Sequence, residues 1–186
     1  MSDAAADGFR KVDERVVHAG AVITVAVGTF EGPDGSTFER ELVHHPGAVS
    51  VVAVDDQDRV VLVRQYRAAL DAWMDELPAG KLDIDGEDPA EAVKRELIEE
   101  AGVSAARWEL LAEFHNSPGF SDELGRIYLA RDLTEVPDDR QGVEEDAMTV
   151  EWVPFADAVA RVTSGELRDS KTVIGLLRAR DRLAAG

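Results

Sequence analysis

The stretch RELIEEAG, Arg95 to Gly102, places Glu96, Glu99 and Glu100 at spacings of three and four residues. In a helix those positions share one side of one turn. Gly102 reads as the helix stop, so the acids gather at the carboxyl end, where the helix dipole also repels anions. Clustered carboxylates suit a hard divalent cation, which takes oxygen ligands. A cation there can neutralise phosphate charge, hold a substrate and make bound water acidic enough to attack. The competing reading is a solvated acidic helix face. A surface helix would normally put lysine four residues from Glu96, but this chain puts Glu100 there; Glu91 and Arg95, by contrast, stand at the favourable spacing of an ion pair. Charge alone leaves both readings open.

Positioning these acids needs a well-defined helix. Asp88 is the expected N-cap, Pro89 the first helical residue and Glu91 the third. Val93, Leu97 and Ala101 form the expected buried stripe, with the three glutamates off it. Upstream, AVSVVAVDD and RVVLVRQYR read as strands covered on both faces. LPAGKLDIDGED reads as a loop. WELLAEFHN, GRIYLARDL and MTVEWVPF read as later strands, with SPGFSDEL between the first two. ADAVARV and SKTVIGLLRARDRL read as helical. Before all of these, AVITVAVGTF and STFEREL flank the turn EGPDG, and HHPG separates that region from the strands downstream of it. The expected fold class is α/β, an α/β/α sandwich with a mixed sheet, preceded by a small antiparallel β unit. The boundary expected from the sequence gives residues 1–46 to the N-terminal unit and 47–186 to the main domain.

Composition narrows the partners. The chain has 186 residues and a formal net charge of -18, which argues against nucleic acid or an anionic membrane as a partner. A phosphate ester as substrate would need its charge cancelled locally. There is no cysteine, so disulfides and thiolate metal sites are excluded. The start MSDAAADGF lacks a signal-peptide pattern, and the longest apolar run, AGAVITVAVGTF, is too short to span a bilayer. A soluble cytoplasmic protein is the expectation.

Over Gly80 to Val103, GKLDIDGEDPAEAVKRELIEEAGV resembles the Nudix box. That signature runs Gly, five residues, Glu, seven residues, Arg-Glu, an aliphatic residue, any residue, Glu-Glu, any residue, Gly, an aliphatic residue. Glu87, Arg95, Glu96, Leu97, Glu99, Glu100, Gly102 and Val103 all fall in place. One departure is present: six residues separate Gly80 from Glu87, and the extra one lies before the helix. The resemblance implies a hydrolase of pyrophosphate bonds in nucleoside diphosphates linked to another group. It implies Glu96 and Glu100 as principal metal ligands, Glu99 as a further or water-mediated one, and the Ala79 carbonyl as an extra oxygen. The cofactor it implies is Mg²⁺ or Mn²⁺, as two or three ions. Glu87 and Arg95 are expected to hold the loop onto the helix by a salt bridge.

The flanks VRQYR, ELPAGKLD and SPGFSDE are similar to the ADP-ribose pyrophosphatase branch, whose substrate-marking proline corresponds to Pro118, sixteen residues after Gly102. That branch implies Mg-dependent hydrolysis of ADP-ribose to AMP and ribose 5-phosphate, and a homodimer joined through the N-terminal strands. Arg67 matches its phosphate-contacting arginine. Arg64 is either a second phosphate ligand or a surface ion pair. Glu123 matches its mobile-loop glutamate, which takes or positions a proton of water, with Asp122 as the neighbouring alternative. Other Nudix pyrophosphatases, for sugar nucleotides, dinucleotides or oxidised nucleotides, share several of these flanks. A non-catalytic ADP-ribose sensor is the rival from another class. His18, His44, His45 and His115 have no metal-ligand spacing; the HH pair is expected to close a turn or pack at an interface. Trp73, Trp108, Trp152, Tyr66 and Phe120 are candidates to stack on a base, none of them assignable alone.

Overall fold

A computed structural model describes residues 8–137 and 147–185. The acidic opening, residues 1–7, lies outside the described residues. The chain divides into two compact units. One comprises the residues through Gly47 together with His115–Leu124. The other comprises Ala48–Phe114 and the residues from Gly125 onward.

The first unit is an antiparallel meander of β1 (Arg10–Ala19), β2 (Thr24–Glu31) and β3 (Thr37–His44), in that order. The EGPDG turn joins β2 to β3 as expected, and the register closes with Glu31 opposite Thr37. In the turn, Asp34 accepts from the Ser36 amide at 3.0 Å and from its hydroxyl at 2.6 Å, the local bonding that makes Asp a turn former. Phe30 and Phe38 stack across the two strands with ring centroids 5.6 Å apart. The open flank of β3 is taken by the segment after His115: Val43 bridges Ser121 in parallel, the Val43 amide donates to the Phe120 carbonyl at 2.8 Å, and the Asp122 amide donates to the Val43 carbonyl at 3.2 Å.

The second unit holds β4 (Ala48–Ala53), β5 (Arg59–Arg67), β6 (Ala72–Glu76), β7 (Ala79–Lys81), α1 (Pro89–Ala101), β8 (Val103–His115) and β9 (Leu124–Glu135) apart from their end residues His115 and Leu124, β10 (Thr149–Pro154), α2 (Phe155–Thr163) and α3 (Ser170–Ala184). One sheet is mixed, in the order β7-β4-β9-β8, with β4 parallel to β9 and antiparallel to β7. The other is antiparallel, in the order β10-β5-β6. Strand alternation sends neighbouring residues to opposite layers. Val49, Val51, Val61, Tyr128 and Ala130 pack with Ala92, Val93 and Leu97 of α1. Val52, Val60, Leu62, Ile127 and Leu129 pack with Ala158 of α2 and with Leu176 and Ala179 of α3. Covered on both sides, β4 is buried throughout, as its run of small and apolar residues, interrupted only by Ser50, predicts. This is the α/β/α sandwich expected from the sequence.

Two local expectations need correction, and one strand had none. LPAGKLDIDGED is not all loop, because Ala79–Lys81 pairs with β4 as β7. AWMDE forms the unanticipated strand β6, antiparallel to β5; the left-handed turn at Asp71, with φ of 50°, folds it back. The strand expected from Trp108 begins at Val103, straight after α1. No helix among the described residues is long and apolar enough to cross a membrane.

Candidate active site

The site is built on α1. The Asp88 side chain accepts from the Ala90 amide at 2.8 Å, and Pro89 occupies the first turn. At the other end Gly102 has φ of 63°, and its amide donates to the Ile98 carbonyl at 2.9 Å. A residue with a Cβ is disfavoured in that left-handed cap. Both ends of the helix are therefore fixed by residue type, and the glutamates between them have fixed positions.

The glutamates do not all lie clear of the buried stripe. Glu96 is 8% exposed and Glu100 4% exposed, whereas Ala101 is only half-buried. The reason is β7. A Cβ on Gly80 would fall 1.9 Å from the Glu96 carboxyl carbon, so the carboxylate occupies space that any other residue at position 80 would fill. One turn on, Glu100 Oε2 accepts from the Ala79 amide at 2.9 Å. The start of β7 and the acidic side of α1 are thus pressed together, and burial of charge there demands compensation.

Arg95 supplies part of it. Its Nε and Nη2 meet the two Glu87 oxygens at 3.1 and 3.0 Å; its Nη1 meets Glu96 at 2.8 Å and Glu99 at 2.9 Å. One guanidinium serves three carboxylates. Hydrogen bonding to Glu87 raises the Arg95 pKa, burial opposes this, and the charges of Glu96 and Glu99 add to it. The same bond holds Glu87 below the usual carboxylate range. The loop-to-helix salt bridge read from the motif is present; the Glu91–Arg95 pair is not. Glu91 takes Lys94 instead, at 2.6 Å, because Arg95 is fully engaged elsewhere.

A second polar group lies in the same unit. Arg67, at the end of β5, makes two parallel bonds to Glu76 of β6, at 2.7 and 2.6 Å, a bidentate pairing. Glu76 is 1% exposed, and Lys171 Nζ stands 3.6 Å from it on the other side. Lys171 is held by Asp169 at 2.6 Å. Asp169 caps α3 through the Thr172 amide at 2.9 Å, and the Thr172 hydroxyl accepts from the Leu77 amide at 2.9 Å. The bond to Glu76 raises the Arg67 pKa, and the charges of Asp169 and Glu100 push the same way. Arg67 therefore senses the acidic end of α1. Arg64 pairs with Asp75 at 3.1 Å on the surface, the second of its two expected roles. The sequence reading missed Glu76, Asp169 and Lys171. A signal existed for Glu76: an acid set directly before the apolar LP step.

Glu123, Asp122 and Pro118 belong to the first unit. Asp122 receives the His45 amide at 2.9 Å, and its other oxygen lies 2.5 Å from His44 Nδ1. Glu123 is half-buried, and its amide donates to the Ser121 hydroxyl at 3.2 Å. Pro118, Phe120, Asp122, His44, Val43 and Leu42 line a cavity of about 290 Å³ within this unit. His44 reaches two carboxylates rather than only closing a turn. Of the aromatic candidates, Trp73 and Phe120 are exposed, whereas Trp108 and Trp152 pack against the α1 core.

The acidic cluster implies a divalent metal, and the donors fit one in kind. They are carboxylate oxygens from adjacent turns, set against a strand whose glycine leaves room for them. In this arrangement Glu96 and Glu99 turn toward Arg95, and among the described residues no three His, Cys, Asp or Glu side chains converge as a metal cage.

A family model for the NUDIX domain matches residues 44–173. The chain belongs to the Nudix family. It is 40% identical over 169 residues to an ADP-ribose pyrophosphatase of Mycobacterium tuberculosis, covering 91% of this chain and 82% of that protein. It is 36% identical over 167 residues to an ADP-ribose pyrophosphatase of Bacillus subtilis, covering 90% of each. A solved structure described as an ADP compounds hydrolase superposes with a TM-score of 0.82 over 96% of this chain and 95% of that one, at 22% identity, a likeness of fold.

Proposed function

We propose that the protein hydrolyses the pyrophosphate bond of ADP-ribose, releasing AMP and ribose 5-phosphate. The observation that carries the chemistry is the burial of Glu96 and Glu100 against β7, with the Glu96 carboxylate lying where a side chain at Gly80 would be. Two carboxylates held this far from water are poised for a cation rather than for solvation. The named relatives support the substrate.

Glu96 and Glu100 would hold Mg²⁺ or Mn²⁺, with Glu99 and the Ala79 carbonyl as further oxygen donors. When bound, such ions neutralise diphosphate charge and acidify water. Arg67 offers its guanidinium to a phosphate oxygen, and Glu76 fixes its plane while it does so. Water attacks one phosphorus in line, and charge building on the phosphoryl oxygens is stabilised by Arg67. Glu123 accepts the proton of the attacking water. Arg95 holds Glu96 and Glu99 in register throughout, and its tie to Glu87 keeps the preceding loop on α1. We also infer a homodimer through the N-terminal strands, in keeping with Val12, Val16 and Val17 of β1, which are exposed. A sedimentation mass equal to one chain would remove that inference.

The test is a panel of ADP-ribose, other nucleotide sugars, dinucleotides and oxidised nucleotides in ¹⁸O-labelled water. The expected result is preferential turnover of ADP-ribose, with label in one of its two phosphate products. Preferential turnover of another compound would move the enzyme elsewhere in the family. Binding of ADP-ribose without turnover, with either metal supplied, would make the protein a sensor.

A further inference from the structure

We propose that His44 is a positioning residue: clamped between Asp122 and Glu14, it fixes the loop that carries Glu123. The proposal rests on the reading of Glu123 as the group that accepts the water proton.

The geometry is that of a three-part clamp inside the first unit. His44 stands at the end of β3. Its Nδ1 lies 2.5 Å from Asp122 Oδ2 on the loop, and its Nε2 lies 3.1 Å from Glu14 Oε1 on β1. Both ring nitrogens thus face carboxylate oxygens, which can only accept. A neutral imidazole has one N–H and can satisfy one of them; the imidazolium has two and satisfies both. The charged form is the one this arrangement selects. Asp122 is bound twice, since its second oxygen receives the His45 amide at 2.9 Å. Around it the backbone is tied to β3 at Val43, by the bonds to Phe120 and Asp122. The next residue is Glu123. Its amide meets the Ser121 hydroxyl, and its carbonyl lies 3.2 Å from His115 Nδ1. The Glu123 backbone thus follows directly on Asp122, the residue that His44 holds. A base must be held within hydrogen-bond reach of the proton it takes, and a displacement of about 1 Å can cost a hundredfold in rate.

The charges facing His44 agree. Asp122 raises its pKa above the ordinary histidine value of 6.5, burial opposes this, and Glu14 adds to the rise. Glu14 is itself held below the usual range by Lys11, which bonds it at 2.7 Å. Burial works to raise the Asp122 pKa, but the bonds from His44 and the His45 amide bring it below the usual value. Because the folded pKa of His44 is raised, the clamp is complete below about pH 6.5. It is lost as pH rises through the raised value.

The test combines ring NMR of His44, amide exchange and the pH profile of hydrolysis, on the full chain with Mg²⁺. The wild-type His44 ring should titrate above the ordinary value, and kcat should fall on the alkaline side with the same midpoint. His44→Gln should lower kcat about tenfold at pH 6.5, change KM less than about twofold, and lose that alkaline limb. The Val43 and Asp122 amides should lose protection. Asp122→Asn serves as the second variant: the ring should return toward its ordinary titration, with the same loss of kcat. Unchanged protection in both variants, or unchanged kcat where Glu123→Gln is impaired, overturns the proposal. If Glu123→Gln keeps full activity, the catalytic reading of Glu123 falls. The clamp is then decided by exchange alone, upheld by lost protection and overturned by unchanged protection.

Discussion

Two pairs of adjacent acids, Glu99–Glu100 on α1 and Asp122–Glu123 on the loop before β9, are stabilised by opposite strategies. On α1 the cation is Arg95, four residues from Glu99 on the same helix, and it stays charged at any working pH. On the loop the cation is His44, 78 residues from Asp122, and its charge depends on pH. The helix acids are mostly buried, and short-range periodicity sets their geometry. The loop acids are more exposed and depend on a partner strand. On the proposed mechanism, a fixed charge suits groups that stand ready for a metal, and a conditional charge suits a group that itself exchanges a proton.

The comparison can be broken most severely at the helix. Glu100→Gln removes a buried charge but keeps its shape and its acceptor for the Ala79 amide. We expect kcat to fall on the order of a thousandfold, with the thermal midpoint little changed; steady-state kinetics and calorimetry read the two together. Next comes Gly80→Ala. Its Cβ would occupy the place of the Glu96 carboxylate, so Glu96 must swing out. Activity should drop about a hundredfold, and Mn²⁺ affinity, measured by titration calorimetry, should drop with it. Near-wild-type turnover in Gly80→Ala would show that this contact does not set the geometry. A smaller effect is expected at Glu76→Gln, which loosens one side of the Arg67 pairing: KM for ADP-ribose should rise about tenfold, with kcat reduced less. The smallest effect concerns acid stability. Glu87 is held below its usual 4.5 by Arg95. The stability this adds is therefore present above about pH 4.5 and lost as pH falls through the lowered value. Melting curves of wild type and Glu87→Gln should differ slightly at pH 6 and converge as the pH falls through the lowered value.

The same contrast explains what could be read in advance. The ends of α1, its acids and its tie to Glu87 depend on residues within fifteen positions of one another, and their capping and spacing are visible locally. The sandwich was legible because β4, β5 and β9 carry apolar side chains on both faces. β6 and β7 were not, since each is short and becomes a strand only through a partner: β6 through β5, β7 through β4. The burial of Glu96 was hidden for a similar reason. It depends on a glycine sixteen positions upstream and on a strand pairing that no local pattern announces. Partners of Asp122 were further still, and the HH pair carried no spacing that could point to a loop so distant in the chain.

Val51 and Val52 are chemical neighbours, yet each helps seal a different layer of the sandwich. The same holds along β5 and β9. A strand that stitches two interiors together cannot release one while keeping the other. Melting of this unit should accordingly be a single event, with reporters beneath α1 and beneath α3 tracing one shared curve.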